Sequence, residues 1–323
     1  MKTPPPAKSN LAGVLFGLLA FGIFSLHDVV VKTLGATYSP FQIVFFSALL
    51  GFPLATLMLM RDQTMGHLRP VHPWWVALRM AATVLTGTSA FYAFSVLPLA
   101  QTYAIIFASP LLITVLSIPI LGETVRLRRW IAVIVGLIGV LVVLRPGSAP
   151  IGLGHLAALG TAIGGAFNSI IVRKIGHEER SAVLLIYPMV ATFVVMGALM
   201  PFFYQPMPGL DFAGFALVGV LAFVAVLSLI AAYRNGEAVV VAPMQYSQII
   251  WATLFGALFF GETPDGYTAV GAGIIIASGL YIVFREGRAN VSEHTPVTRT
   301  RSRPETGVGP RVSPILNQDR PAE

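Results

Sequence analysis

Ten stretches of mostly apolar residues follow one another along this chain with only short polar links, and that succession leaves very few architectures open. They run over Leu11–Leu34, Phe41–Met60, Trp74–Phe94, Leu99–Leu121, Trp130–Leu144, Gly152–Val172, Ala182–Phe203, Phe212–Tyr233, Val239–Phe260 and Tyr267–Phe284. A bilayer core takes about 20 such residues per helix. Backbone N–H and C=O groups in hydrocarbon must pair within a helix or around a closed barrel. Barrel strands alternate in roughly ten-residue segments, whereas these runs are continuously apolar. The expectation is an all-α integral membrane protein with ten transmembrane helices. Composition agrees, with 55% hydrophobic and 11% charged residues against about 25% charged in soluble domains. The first run is too long for a signal-peptide core and lacks a small-x-small cleavage site, so it reads as a retained span. Without cysteine, disulfides, thiolate metal sites and Cys nucleophiles are excluded.

One plan occurs twice among the runs, offset by 139 positions. Gly122-Glu123-Thr124 falls on Gly261-Glu262-Thr263, and the run ending at Leu144 falls on the one ending at Val283. Each copy is a long apolar helix stopped by Gly-Glu-Thr, then a polar turn, then a Gly-rich apolar helix. Repeats of this kind define the architecture. Five helices per half is an odd number, so the second half enters the membrane upside down. The basic residues support this inversion: Arg126, Arg128 and Arg129 follow the first Gly-Glu-Thr, while Pro264-Asp265 follows the second. With the N-terminus inside, 18 of the 21 lysines and arginines are cytoplasmic, against Lys32 and Arg145 outside. The positive-inside rule then places both termini in the cytoplasm. The expected organisation is a cytoplasmic arm over 1–10, a first repeat over 11–145, a second over 152–285 and a disordered basic cytoplasmic tail over 286–323. Localisation is the cell inner membrane. The net charge of +7 is thus topogenic, and no nucleic-acid partner is expected.

At Arg79-x12-Tyr92-Ala-Phe-x3-Pro-x-Ala, Pro110, Gly-Glu-Thr and a Gly-rich span ending Arg145-Pro, the sequence resembles the EamA domain of the drug/metabolite transporter superfamily. Ala238 through Pro243, with Gln245, Tyr246 and Gly261-Glu262, resembles the domain's second occurrence. The resemblance covers residues 11–285 and implies ten helices, alternating access and small organic solutes. The Tyr246-Ser-Gln-Ile-Ile-Trp251-Ala stretch is similar to members that take up S-adenosylmethionine or riboflavin.

Polar residues inside the runs supply the site candidates. His27-Asp28 lies in the first run, where a charge costs about 2.5–3.5 kcal/mol or more. Asp28 either binds a cationic group or couples transport to protons, or it pairs with Lys32 one turn on. The inverted partner position holds Asn168-Ser169; Asn168 reads as a site residue or as an interhelical hydrogen bond. Arg79 either snorkels to the interface or meets an acidic group. Glu123 and Glu262 read as gates or as anchors for loop arginines and helix N-termini. In the ninth run Gln245, Gln248 and Trp251 recur every three residues beside Tyr246, a stripe suited to an organic solute. Phe107 and Ser109 hold corresponding positions in the fourth run, and Tyr92, Tyr103 and Tyr187 are further candidates. Pro110 and Pro243 interrupt the fourth and ninth runs, as hinges or for packing. Ala132-xxx-Gly136 and Gly273-xxx-Ala277 are small-xxx-small patterns that allow close helix approach, for packing within the fold or for dimerisation.

There is no P-loop, no His-Glu-x-x-His and no metal-ligand spacing among the six histidines, so neither a cofactor nor a metal is expected. The function expected is secondary transport of a small metabolite by a monomer or homodimer in the bilayer. The substrate would be amino-acid-like, nucleoside-like or vitamin-like. The alternatives are an intramembrane enzyme acting on a lipid and a non-transporting receptor or scaffold. The solute pocket is expected between the first, third, fourth, sixth, eighth and ninth spans.

Overall fold

The computed structural model describes residues 11–60, 68–125, 127–146, 151–236 and 238–288. The N-terminal arm, Arg61, Arg126 and the tail beyond residue 288 lie outside these. All regular elements among the described residues are helical. They are α1 (Leu11–Gly35), α2 (Pro40–Met60), α3 (Pro73–Val96), α4 (Leu99–Ile106), α5 (Ser109–Leu121), α6 (Leu127–Leu144), α7 (Leu153–Ile175), α8 (Ser181–Phe203), α9 (Gly209–Asn235), α10 (Ala238–Val241), a 3-10 turn (Ala242–Tyr246), α11 (Ser247–Phe260) and α12 (Gly266–Arg288).

Six of the helical stretches are long and apolar enough to cross a membrane. Two of the others fall short for identifiable reasons. Arg79 and three threonines interrupt the hydropathy of α3, and the stretch from Ala238 to Phe260 is broken in two. The breaks fall where the prolines are. Pro110 occupies the first turn of α5 and Pro243 the first turn of the 3-10 segment, where a residue lacking N–H costs nothing. Each therefore restarts a helix after a short irregular joint. The fourth crossing is α4 with α5, the ninth α10 with α11, and the crossings among the described residues number ten.

The Gly-Glu-Thr motifs are helix stops. Gly122 has φ 71° and Gly261 φ 65°, a left-handed conformation that residues with a Cβ adopt at a cost. In both copies the glycine N–H donates to a carbonyl one turn back, at 3.0 Å to Ile118 and 3.2 Å to Ala257. The next glutamate N–H then reaches Ser117 O at 3.3 Å and Gly256 O at 2.9 Å. The glycine bond is the 5→1 bond of an αL cap, the glutamate N–H adds a second, and both are built identically in each repeat.

Helix pairing follows the repeat. α1 packs on α9 as α3 packs on α7; α2 faces α8, α4 faces α11, and α6 faces α12. Each contact is either its own mate or has one under exchange of the halves, as a two-fold axis in the membrane plane requires. The α6–α12 crossing is tight because a Cβ on Gly139 would sit 2.9 Å from Gly271 O, and one on Gly271 2.7 Å from Gly139 O. Here one expectation is corrected. Gly273 is exposed with open space beside it, because the helix phase turns Gly271 rather than Gly273 inward. Gly136 does pack inward, against Leu111 and Ser278, and the Ser278 hydroxyl donates to Ala132 O at 2.7 Å.

Candidate functional site

A cavity of about 340 Å³ lies between the two halves, within the usual size of small-molecule sites. Its walls come from α1, α2, α3 and α4 of the first repeat and α7, α8 and α9 of the second. Most of the lining is apolar, with Phe24, Phe91, Phe94 and Phe223 contributing rings. Polar groups concentrate on two of the contributing faces.

One polar face is on α1. Asp28 is 3% exposed, and its Oδ1 pairs with His27 Nδ1 at 2.7 Å. Its Oδ2 accepts the Tyr103 hydroxyl from α4, and Tyr103 in turn accepts Gln248 Nε2 of α11 at 3.1 Å. The Phe91 ring meets the His27 ring edge-on at 5.9 Å. A chain of hydrogen bonds thus runs from the cavity wall to the last turn before one helix break and the first turn after the other. Lys32 takes no part in it. Its ammonium reaches Glu262 at 2.7 Å and Leu97 O at 2.5 Å, so the reading of an intrahelical Asp28–Lys32 pair is corrected: a partner from the other repeat captures the lysine.

The other polar face is on α3. Arg79, Thr83, Thr86 and Ala90 succeed one another at spacings of four, three and four, a single helix face. Arg79 is 1% exposed; its Nε donates to Leu184 O at 3.1 Å and its Nη1 approaches Asn168 O at 3.4 Å. Thr83 donates to Asn168 Oδ1 at 3.0 Å, and Asn168 Nδ2 lies 3.5 Å from Thr86 Oγ1. The snorkelling reading of Arg79 is therefore corrected. The side chain turns into the bundle, where α7 and α8 carbonyls replace water.

Of the residues singled out from sequence, His27, Asp28, Arg79 and Asn168 line this cavity. Tyr103 and Gln248 are outside its lining and are joined to Asp28 by the chain of hydrogen bonds. Tyr92, Phe107, Ser109, Gln245, Tyr246, Trp251 and Tyr187 are not in its lining. Phe107 and Tyr246 meet at 5.2 Å in the core, with the Tyr246 hydroxyl against Gly279. Trp251 stacks on Phe255 at 5.9 Å and lies along Gly22 of α1. The expected Gln245–Gln248–Trp251 stripe does not line this cavity, because Gln248 is buried behind it on Tyr103 and Trp251 packs on Gly22 of α1. Ser109 Oγ, Gln248 Oε1 and Trp251 Nε1 are buried without a hydrogen-bond partner among the described residues.

The walls contributed by α2 and α8 were absent from the expected lining. Val44, Ser47, Ala48 and Gly51 on α2 and Leu185, Pro188, Met189 and Thr192 on α8 line the cavity, but their hydropathy is that of a lipid-facing surface. Thr83 and Thr86 were overlooked although their spacing from Arg79 carried a signal.

Glu123 and Glu262 lie at opposite ends of the bundle. Glu123 Oε1 accepts Arg173 of α7 at 2.5 Å. Glu262 Oε2 accepts Leu99 N at the start of α4 at 3.0 Å, where a helix N-terminus favours negative charge. Arg145, with φ 46°, pairs with Asp265 and stacks over Tyr267 at 4.5 Å.

Ten helices in two inverted halves around an internal cavity with charged walls form the plan of a secondary transporter. The chain belongs to the EamA-like transporter family, whose model matches residues 11–145 and 152–284. It is 27% identical over 288 residues to an S-adenosylmethionine uptake transporter of Rickettsia prowazekii, covering 89% of this chain and 97% of the relative. It is 30% identical over 283 residues to a riboflavin transporter of Rhizobium johnstonii, covering 86% and 93%. A pseudopaline exporter, CntI, of Pseudomonas aeruginosa is 27% identical over 270 residues, covering 83% and 94%. A solved crystal structure superposes with a TM-score of 0.57 at 18% identity over 87% of this chain and 98% of the other, a likeness of fold. The protein is a multi-pass membrane transporter of small metabolites, and the enzyme and scaffold readings give way to that membership.

Proposed function

We propose that this transporter carries a zwitterionic metabolite, one that joins an α-amino acid head to a flat aromatic part, with S-adenosylmethionine as the leading case. The observation that carries this reading is that Asp28 and Arg79 line one cavity together with four phenylalanine rings. Under this reading the Asp28 carboxylate receives the ammonium or sulfonium charge, Arg79 receives the carboxylate, and the rings receive the heterocycle. The named S-adenosylmethionine relatives agree with this assignment. Riboflavin, suggested by the Rhizobium relative, is uncharged and leaves both buried charges unmatched. Such a mismatch is what makes a polar site selective.

In the same reading both termini face the cytoplasm of the inner membrane, by the distribution of lysine and arginine. The halves rock about the cavity, and Asp28 holds a proton when it does not hold the solute. Glu123 and Glu262 serve as anchors for that motion, and Pro110 and Pro243 as its joints.

The test is uptake of labelled S-adenosylmethionine into proteoliposomes containing only this protein. Saturable uptake that excess unlabelled S-adenosylmethionine suppresses and excess riboflavin leaves unchanged is expected. Riboflavin competition of equal strength, or no flux of any zwitterion, would overturn the assignment.

A further inference from the structure

Two clusters of contacts close opposite ends of the bundle, and they occupy matching positions in the two repeats. At the Glu262 end, Tyr38 in the α1–α2 link donates its hydroxyl to Asp211 in the first turn of α9, at 2.5 Å. In the first turn of α2, Gln42 pairs twice with the backbone ahead of α9. Its Nε2 donates to Gln205 O at 2.8 Å and its Oε1 accepts Gln205 N at 2.9 Å. At the Glu123 end, Glu179 in the α7–α8 link accepts the His72 backbone N–H, at the head of α3, at 2.5 Å. Glu178 pairs with the His72 ring, and Tyr187 of α8 donates to Leu68 O ahead of α3 at 3.2 Å. Each cluster ties the first link of one half to the head of the third helix of the other half. The halves cannot separate at that end while the cluster holds.

We propose that these clusters are the transporter's two gates and that they are chemically unequal: the Tyr38–Asp211 gate ignores pH near neutrality, while protonation of His72 tightens the other.

The chemistry of the two clusters supports the asymmetry. The hydrogen bond from Tyr38 to Asp211, together with burial, pushes the phenol up to about 12. A group whose folded value is raised keeps its bond below its ordinary value near 10 and loses it only as pH rises through the folded one. That gate is therefore constant from mildly acid to mildly alkaline pH. The His72–Glu178 ion pair exists only while the imidazole carries its second proton, and histidine is the side chain that changes charge in this range. The charged and titratable groups around His72 are Glu178, Glu179, His177 and Arg180 in the facing link, Arg69 on its own segment, Tyr187 on α8, and Lys174, which lies over the Trp75 ring at 4.9 Å. Glu178 meets the His72 ring and Glu179 the His72 backbone N–H, so it is the Glu178 contact that protonation strengthens.

No solute is needed for the test, and the absence of native cysteine lets spin labels be placed at will. One labelled pair, Val71→Cys with His177→Cys, reports the Glu123 end and leaves His72 as the histidine of that cluster. A second pair, Thr37→Cys with Pro206→Cys, reports the Glu262 end. Distances are measured by pulsed electron resonance in lipid nanodiscs at about pH 5.5 and about pH 8.5, which bracket ordinary histidine titration. The expected result is a shift of the first pair toward longer distances at the higher pH, with the second pair shortening in response. His72→Gln is expected to abolish that shift, and Asp211→Asn to lengthen the second pair at both pH values. Distributions that do not move with pH, or that move equally in His72→Gln, would overturn the proposal. Monodisperse elution of each variant separates a gating change from misfolding.

Discussion

Arg173 Nη2 lies 2.5 Å from Glu123 Oε1, and this contact has an inverted twin. Lys32 holds in α1 the position that Arg173 holds in α7, and it meets Glu262 at 2.7 Å at the opposite end of the bundle. Each pair joins the first helix of one repeat to the end of the fourth crossing of the other. The repeats are thus pinned to one another at both ends by exchanged ion pairs. The same duplication that gave two Gly-Glu-Thr stops gave two cations that donate to their glutamates.

The first prediction concerns the relative strength of these pins. The Arg173 and Glu123 side chains are 5% and 11% exposed, Lys32 and Glu262 12% and 20%. Arg173 Nε and Nη1 have no other hydrogen-bond partner, whereas Lys32 keeps Leu97 O. Removing one partner of a buried pair costs about 3–5 kcal/mol. Glu123→Gln should approach that loss, and Glu262→Gln, whose amide oxygen still accepts Leu99 N–H, should fall well short of it. Thermal unfolding of the detergent-solubilised protein measures the order, and equal shifts in the two variants would contradict it.

Tyr103 offers a second prediction. Its hydroxyl donates to Asp28 and accepts from Gln248, so it fixes the carboxylate from behind. Tyr103→Phe removes both bonds and leaves Gln248 buried with neither amide atom paired. An unmet buried polar group costs about 1–3 kcal/mol, roughly five- to 150-fold in an equilibrium constant. Half-saturation for the zwitterionic solute should rise by about tenfold, and Gln248→Leu in the same background should restore stability without restoring affinity. Unchanged half-saturation in Tyr103→Phe would show that Asp28 needs no such support.

A third prediction tests helix phase. Gly139 and Gly271 cross so closely that a Cβ on either would meet the other's carbonyl, while Gly273 faces open space two residues away. Gly271→Val should therefore force α6 and α12 apart at a cost of about 1–3 kcal/mol or more, and Gly273→Val should be nearly silent. Yield and melting temperature of the two variants, side by side, decide this.

Fold and site were not equally legible in the sequence. The ten crossings and the inversion followed from run length, the 139-residue offset and the placement of arginines, because lipid leaves the backbone few options. Individual partners did not follow. Lys32 sits one turn from Asp28, and local spacing alone pairs them; only the packed halves bring Glu262 closer. Arg79 near a helix start looks like a snorkelling residue until α7 and α8 cover it. Gln245, Gln248 and Trp251 share a three-residue spacing, but spacing alone does not say which neighbour that side meets, and the packed fold turns Gln248 to Tyr103 and Trp251 to Gly22. The walls from α2 and α8 were invisible for a different reason, since an apolar side chain facing an apolar cavity is compositionally identical to one facing lipid.

The last prediction concerns coupling. Asp28 is the one carboxylate among the described residues that line this cavity, and it already carries a histidine and a tyrosine as hydrogen-bond partners. A cationic solute and a proton compete for the same oxygens, so release of one favours arrival of the other. Asp28→Asn keeps the size and a hydrogen-bonding amide but binds no proton in this range. The variant should fail to accumulate solute against its gradient when only a pH gradient is imposed. Any residual solute–solute exchange should persist, with affinity lowered by about ten- to 100-fold, as for losing a bond to a charged group. Both quantities are read from the same proteoliposomes, with and without an imposed proton gradient. Accumulation that survives the substitution would remove Asp28 from coupling and leave it a binding residue alone. Loss of both exchange and accumulation, with normal folding, would make it a binding residue too essential for coupling to be read from it. The persistence of exchange without accumulation is therefore the outcome that identifies the proton as the competitor.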